Sequence, residues 1–122
     1  KVVCYIEYIG MLQTAVLSEA SVNTNYTFRS GSTIKVTYKA AANATGYDVV
    51  LGTYSKKENG ETRPYNYGAH KVLNLKEGTV TATFKNVPAG KWTVGMHAFN
   101  RISEDGKKVF SPWSNLKTAT VK

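Results

Sequence analysis

The chain has 122 residues and a formal net charge of +8, from 16 Lys and Arg residues against 8 Asp and Glu residues. This length suits one domain, whose core is large enough to need neither a disulfide nor a metal. The composition, 42% hydrophobic and 20% charged, is that of a globular protein. No run approaches the roughly 20 apolar residues of a membrane-spanning helix. These numbers exclude a multidomain enzyme, a cysteine-stapled mini-protein and insertion into a membrane.

The first residues form a strand-like apolar run that begins at Lys1 and contains the single cysteine, Cys4. One cysteine excludes an internal disulfide and a zinc cluster, so we interpret Cys4 as a small buried hydrophobic side chain. Residues 1–9 would aggregate as a free edge, and we expect them to pair within the sheet. The alternative is that they are the tail of an upstream domain, because the chain starts in mid-strand, like a piece of a longer protein.

Alternation of apolar and polar side chains runs through the rest of the chain. After a first strand expected within residues 11–20, the alternation is strict in residues 33–39, 80–85 and 92–98. Such alternation predicts strands with one buried and one exposed face. The more apolar residues 47–51 predict a central strand. Because no window of ten or more residues carries a convincing helical stripe, we expect an all-β domain.

Turn signals separate the predicted strands. Asn59-Gly60 and Asp105-Gly106 are the strongest dipeptides for a short hairpin. Glu77-Gly78 and residues 88–90 also break the chain between strand-like segments. Short strands with turns at this spacing imply a sandwich or a barrel.

Five segments, taken in chain order, resemble strands of a fibronectin type III domain. Residues 33–38 look like strand B, residues 44–49 like the entry to strand C, and residues 84–94 like the corner between strands E and F. Residues 92–100 resemble strand F, and residues 110–114 resemble the start of strand G. The order of the five segments carries the resemblance, since no segment is specific by itself.

The resemblance implies an all-β, immunoglobulin-like (fibronectin type III) sandwich of two antiparallel sheets over residues 32–122. Residues 1–31 are then N-terminal strands, comprising the strand A region and either an extra strand or an upstream tail. Tyr38 stands where the family usually has a core tryptophan, and Trp92 replaces the corner tyrosine. An indole donor cannot copy the hydrogen bond of that hydroxyl. The middle, residues 51–74, is longer than is usual in the family.

The alternation also assigns side chains to the two faces of each strand. On the sheet that holds strands C and F, Val50, His97 and Phe99 should point outward. The residues expected to point into the core are Ile34, Val36, Tyr38, Tyr47, Val49, Leu51, Val80, Ala82, Phe84, Trp92, Val94, Met96 and Ala98.

The function expected from the sequence is non-catalytic. Neither a nucleophile motif nor a phosphate-binding glycine loop nor a metal-ligand spacing is present, so we predict no catalytic, cofactor-binding or metal-binding residues and no cofactor. The resemblance implies a spacer and protein or glycan interaction domain of a larger bacterial protein that is secreted or attached to the cell surface. Its neighbours in the parent chain are then its first partners. The alternatives are a carbohydrate-binding module and an accessory domain of a secreted enzyme.

Aromatic residues outside the core pattern are the candidate ligand-binding residues. Tyr54, Tyr65, Tyr67 and Trp113 could stack against sugar rings, or the tyrosines could cap the open end of the sandwich. We expect Trp113 to pack beside strand F, under Arg101.

Positive charge is concentrated in the second half of the chain, where residues 63–122 have a net charge of +7 against +1 for residues 1–62. Such asymmetry favours an anionic partner, such as a cell-wall polymer, an acidic glycan or an acidic protein. The alternative is that the lysines keep the sheet edges soluble. Nucleic acid is not expected, because no groove-reading helix is visible. The candidate residues for an anionic partner are Lys71, Lys91, Arg101, Lys107 and Lys108.

Overall fold

The computed structural model describes residues 12–24, 32–103 and 105–122, which form ten strands. Helices are absent from these residues, so they contain none that could cross a membrane. The expectations for Cys4 and for residues 1–9 lie outside the described residues. The strands are β1 (Val16–Thr24), β2 (Ser32–Lys39), β3 (Gly46–Gly52), β4 (Tyr54–Glu58), β5 (Glu61–Tyr65), β6 (Lys71–Lys76), β7 (Thr81–Val87), β8 (Gly90–Asn100), β9 (Val109–Phe110) and β10 (Lys117–Val121).

Two antiparallel sheets pack against each other around one core. The first sheet has the strand order β1-β2-β7, and the second has the order β10-β8-β3-β6, with the short β9 also paired to β8. The chain changes sheet between β2 and β3, between β6 and β7, and between β7 and β8. Side chains from both sheets meet in a single apolar cluster. The chain is thus an immunoglobulin-like β-sandwich of the fibronectin type III kind, as expected.

Alternate residues of the strands fill the core, which confirms the predicted inward positions with one exception. Val80 is 43% exposed. The reason is that β7 begins only at Thr81. Val80 precedes the strand, where its carbonyl oxygen accepts a hydrogen bond from the Tyr38 amide. Its backbone therefore joins the sandwich while its side chain stays at the rim.

Two aromatic substitutions relative to the family pattern are accommodated within the core. The ring of Tyr38 lies 4.9 Å from that of Tyr47, and burial, followed by the charge of Tyr47, raises the pKa of Tyr38. The Tyr47 hydroxyl accepts a 2.8 Å hydrogen bond from the Ala41 amide. At the corner between β7 and β8, the indole N–H of Trp92 donates to the carbonyl oxygen of Pro88 at 3.0 Å. The indole donor thus satisfies a backbone carbonyl four residues before it through a contact of its own reach, without copying the bond of the family's tyrosine hydroxyl.

The long middle of the chain contains an inserted hairpin, β4–β5. Asn59 and Gly60 have φ values of 54° and 84°, and two positive values at the turn centre are typical of a type I′ turn. This confirms the hairpin predicted at Asn59-Gly60. By contrast, the connection between β8 and β9 spans residues 101–108, so Asp105-Gly106 lies in a longer loop and does not form a two-residue turn.

The inserted hairpin approaches the outer face of the second sheet at Gly95 of β8. A side chain at Gly95 would come within 2.5 Å of a ring carbon of Pro64, so only glycine permits this approach. Pro64 itself is fully buried. Val50 and Phe99 are absent from the core cluster, in agreement with their predicted outward direction, but each is at most 2% exposed. The outer face of this sheet is therefore covered at these positions, whereas the alternation in the sequence predicted that it would be exposed to solvent.

Candidate functional site

A continuous series of stacked side chains runs from the hairpin to β9, and we call it the aromatic row. Neighbouring members are 4.2 to 5.8 Å apart, measured between ring centroids or from the arginine Cζ to a centroid. Two ends of the row are open to solvent, because Tyr54 is 51% exposed and Phe110 is 49% exposed. The members, in spatial order, are Tyr54, Tyr65, Arg63, Trp113, His97 and Phe110.

The hairpin supplies the first half of the row. Tyr54 and Tyr65 face each other across β4 and β5, with centroids 5.8 Å apart and planes inclined by only 10°. Arg63 lies two residues before Tyr65, so both side chains leave the same face of β5. The Arg63 Cζ atom is 4.7 Å from the ring centroids of both Tyr65 and Trp113. Cation–π contacts with both rings thus hold the guanidinium in place.

Two serines determine the position of Trp113. Between β9 and β10 the ladder to β8 is irregular, and Pro112 has no amide hydrogen to donate. The Ser111 hydroxyl accepts from the Ala98 amide at 3.0 Å, and the Ser114 hydroxyl accepts from the Met96 amide at 3.1 Å. Both hydroxyls substitute for backbone carbonyls, so β8 keeps its hydrogen bonds beside the irregular segment.

The inserted hairpin also binds this segment directly. Glu61 accepts a 2.7 Å hydrogen bond from the backbone amide of Trp113. Because Glu61 begins β5, this bond fixes the hairpin to the segment between β9 and β10. The position of Trp113 therefore depends on contacts from two separate parts of the chain.

His97 occupies the centre of the second half of the row. Its ring centroid is 4.2 Å from that of Phe110 and 4.3 Å from that of Trp113. The Nε2 atom of His97 lies 3.3 Å from Oδ2 of Asp48 on the neighbouring strand β3. Asp48 thus orients the imidazole through this hydrogen bond, while the two aromatic rings pack against it.

Asp48 is a buried carboxylate that serves several partners. Lys108 Nζ lies 3.2 Å from Oδ1, and the Asn74 amide donates to the same oxygen at 2.9 Å. Burial would raise the pKa of Asp48, but the hydrogen bonds from His97, Asn74 and Lys108 together outweigh it and lower the pKa below its ordinary value. The Asn74 bond sits where the pairing of β3 with β6 is irregular, between Tyr47 and Val49. Asp48 therefore stabilises this bulge as well as the row.

An open groove of about 570 Å³ lies beside the row. This volume is within the usual range for small-ligand sites. The groove combines ring surface with one carboxylate, one guanidinium, an imidazole and a phenol. Its lining residues are Glu61, Arg63, Tyr67, His97, Phe110, Ser111, Pro112 and Trp113.

The four aromatic residues singled out in the sequence lie in this region. Tyr67 and Trp113 line the groove, Tyr65 contacts Arg63, and Tyr54 stacks on Tyr65. The Tyr65 hydroxyl also donates to a carboxylate oxygen of Glu58, and this hydrogen bond raises the pKa of Tyr65.

The expectation that Trp113 would pack under Arg101 was wrong. Arg101 lies over Phe99, with 5.0 Å between its Cζ atom and the ring centroid. Arg63 contacts Trp113 in its place, because the inserted hairpin carries it to this face.

The basic residues proposed for an anionic partner fall into separate groups. Arg101 and Lys108 both lie over Phe99, and Lys107 is exposed beside them. Lys91 is near the start of β8, whereas Arg101 follows its end, so roughly 30 Å of extended strand separates them. Lys71 begins β6 at one edge of the sheet. The structure therefore brings together Arg101, Lys107 and Lys108, and leaves Lys71 and Lys91 apart.

Arg63, His97, Glu61 and Phe110 were not among the candidate residues. The available signal was Gly95, because a glycine inside a long strand indicates close approach of another segment. The alternation of Glu61, Arg63 and Tyr65 after Asn59-Gly60 also places these three side chains on one hairpin face. Within the described residues, no group of three or more His, Cys, Asp or Glu side chains could hold a metal ion.

Comparison with known proteins finds one distant structural similarity and no match in sequence. No protein-family model matches the chain, and no curated protein matches it in sequence. A solved structure described as "Structure of FN3tt mut" aligns with 88% of this chain and 94% of its own, at 15% identity and a TM-score of 0.37. At that TM-score, the fold assignment rests on the strand order and the packed sheets of this chain.

Proposed function

We propose that this domain is a non-catalytic carbohydrate-binding module of a larger extracellular bacterial protein, and that sugars bind in the groove beside the aromatic row. The observation that carries the proposal is the composition of this groove. The half-exposed ring of Phe110 lines this groove together with Arg63, Tyr67 and Trp113, whose side chains carry hydrogen-bonding groups. Ring surface flanked by a few polar groups is the chemistry of ligand sites in general, and pyranose rings present an apolar face and hydroxyl edges that match it.

Affinity gel electrophoresis of the chain against a panel of neutral and acidic polysaccharides tests the proposal. We expect at least one polymer to retard the protein, and Phe110→Ala to weaken that retardation. Ile102→Ala is the matched control, because Ile102 is also exposed and apolar but does not line the groove. Retardation by none of the polymers, or an equal effect of both substitutions, would contradict carbohydrate binding at this groove.

A spacer role is the second candidate, and the internal contacts of the row favour it. Arg63 contacts two rings of its own chain, and Glu61 binds the Trp113 amide, so the row also fastens the hairpin to the sheet. If substitutions in the row lower the free energy of unfolding and no polymer binds, the row is structural and the domain serves as a spacer or protein-interaction domain.

A further inference from the structure

We propose that the groove selects sugars that carry a carboxylate, and that Arg63 binds this carboxylate through its guanidinium edge. This inference rests on the carbohydrate-binding function proposed above and adds the chemical class of the ligand. It begins from the way Arg63 is held. Cation–π contacts with Tyr65 and Trp113 restrict the guanidinium, whose Cζ atom lies 4.7 Å from each ring centroid. A fixed planar fork suits two parallel hydrogen bonds to a carboxylate.

The donors of Arg63 are largely unused among the described residues. Its Nε atom lies 3.5 Å from the carbonyl oxygen of Pro64, which is a long hydrogen bond. In the part of the chain that the structure describes, Asp48 receives both ion pairs, from His97 and Lys108, so Arg63 has no acidic partner there. The terminal nitrogens of Arg63 are therefore available to a ligand.

Glu61, the acidic residue that lines the same groove, does not neutralise Arg63. One of its carboxylate oxygens accepts from the Trp113 amide at 2.7 Å. No ion pair joins Glu61 to Arg63 in the described ranges. Glu61 thus positions the backbone of Trp113 in the groove wall, while the charge of Arg63 remains available to a ligand.

Two further residues that line the groove each carry a donor for which the described residues provide no acceptor. These donors are the indole N–H of Trp113 and the hydroxyl of Tyr67. A groove lined by three residues whose donors have few partners among the described residues favours a ligand rich in acceptors. A uronic acid polymer supplies these as carboxylates, ring oxygens and hydroxyls. The net charge of +8 also favours encounter with such a polyanion.

The test compares polygalacturonate with the same polymer after methyl esterification, which caps the carboxylates and leaves the sugar rings intact. Binding is measured by isothermal titration calorimetry at constant ionic strength. We expect the esterified polymer to bind about tenfold more weakly, the loss of one charge-assisted bidentate contact. Equal affinity for the two polymers would overturn the inference and leave carbohydrate binding in place. Binding of neither polymer, nor of any in the wider panel, would overturn the proposed function itself.

Variants separate the geometry of Arg63 from its charge. Arg63→Lys keeps the charge but loses the planar fork, and we expect polygalacturonate to bind about tenfold more weakly. Lys71→Ala removes a charge on β6 outside the groove and should leave the affinity nearly unchanged. Unchanged affinity in Arg63→Lys, together with a loss in Lys71→Ala, would show binding by overall charge and overturn the inference. Dextran sulfate, which carries sulfates and no carboxylates, is the control polymer. If Arg63→Lys weakened binding of dextran sulfate as much as binding of polygalacturonate, the site would not be specific for carboxylates and the inference would be overturned.

The variant is checked for folding by its near-UV circular dichroism. Should Arg63→Lys unfold, Tyr67→Phe replaces it, because this substitution removes one hydroxyl and keeps the ring in the groove. We expect Tyr67→Phe to weaken polygalacturonate binding severalfold, because the variant loses one hydrogen bond between uncharged groups. Unchanged affinity in Tyr67→Phe, together with equal binding of the two polymers, would overturn the inference.

Discussion

The indole N–H of Trp92 is joined to the carbonyl oxygen of Pro88 by a 3.0 Å hydrogen bond. This bond closes the corner between β7 and β8, where the chain passes from one sheet to the other. His70 packs its ring edge against the same indole, with centroids 4.8 Å apart. Trp92 therefore combines a core position with the satisfaction of a backbone acceptor.

Replacing Trp92 separates these two contributions. Trp92→Phe keeps an aromatic ring but loses the hydrogen-bond donor. Trp92→Tyr has a ring of nearly the same size as phenylalanine and adds a hydroxyl group that can donate. We expect Trp92→Phe to be less stable than Trp92→Tyr by about 0.5–1.5 kcal/mol, the net value of one hydrogen bond. Urea denaturation monitored by circular dichroism measures the difference. Equal stability of the two variants would mean that a hydroxyl at this position gains no stabilising hydrogen bond.

Asp48 should make the stability of the domain depend on acid pH. Because its folded-state pKa is lowered, the carboxylate stabilises the fold above its ordinary pKa of 3.8. That contribution is lost as the pH falls through the lower folded-state pKa. We expect Asp48→Asn to reduce the free energy of unfolding by about 1–3 kcal/mol at neutral pH. The difference from wild type should shrink below pH 3.8.

The matched control for Asp48 is Glu77→Gln, which removes an exposed acidic charge from the turn after β6. We expect it to leave the stability nearly unchanged at every pH. If Asp48→Asn and wild type instead lose stability in parallel as the pH falls, the buried carboxylate is not the source of the acid sensitivity.

The two serines that flank Trp113 should protect amide hydrogens of β8. Ser114→Ala removes the acceptor of the Met96 amide, and Ser111→Ala removes that of the Ala98 amide. A buried donor without a partner costs about 1–3 kcal/mol, and each affected amide should exchange faster with deuterium. Ser55→Ala, on the exposed strand β4, is the control. Unchanged exchange at Met96 in Ser114→Ala would contradict this role.

Gly95 and Pro64 should show energetic coupling. An added methyl group at Gly95 would lie 2.5 Å from Pro64 Cγ and 2.9 Å from Leu116 Cδ2. We expect Gly95→Ala to destabilise the domain by about 1–3 kcal/mol through this overpacking. The cost should be smaller in a Pro64→Ala background, where the obstructing ring is gone. A double-mutant cycle measures the coupling, and strict additivity would show that the hairpin does not rest on Gly95.

Most of the sandwich could be predicted from the sequence, because its strands are short alternating segments with one wet and one buried face. Ile34 to Tyr38 follow this rule. In Trp92 to Ala98 the inward residues are buried as predicted, but Gly95 on the outer face is buried as well, because Pro64 covers it. The rule failed at Val80, where the apolar residue lies just outside the strand end. Alternation locates a strand, but it does not decide which of its terminal residues reaches the core.

The groove was predicted only in part. Tyr54, Tyr65, Tyr67 and Trp113 were identified by exclusion from the core pattern, and they do lie in one region. The role of Arg63 could not be predicted, since it depends on the direction in which the inserted hairpin folds. Pro64 settles that direction through its contact with Gly95, a relation between segments about thirty residues apart that local patterns do not encode.

The position of the inserted hairpin in the chain determines how the groove of such a domain could be altered. The hairpin leaves the sheet after Gly52 and the chain re-enters the sheet at Lys71, so residues 53–70 form one cassette between neighbouring strands β3 and β6. Exchanging this cassette would replace one wall of the groove and leave the order of the core strands untouched. The sandwich is thus a scaffold on which new recognition surfaces can be engineered by grafting at a single position.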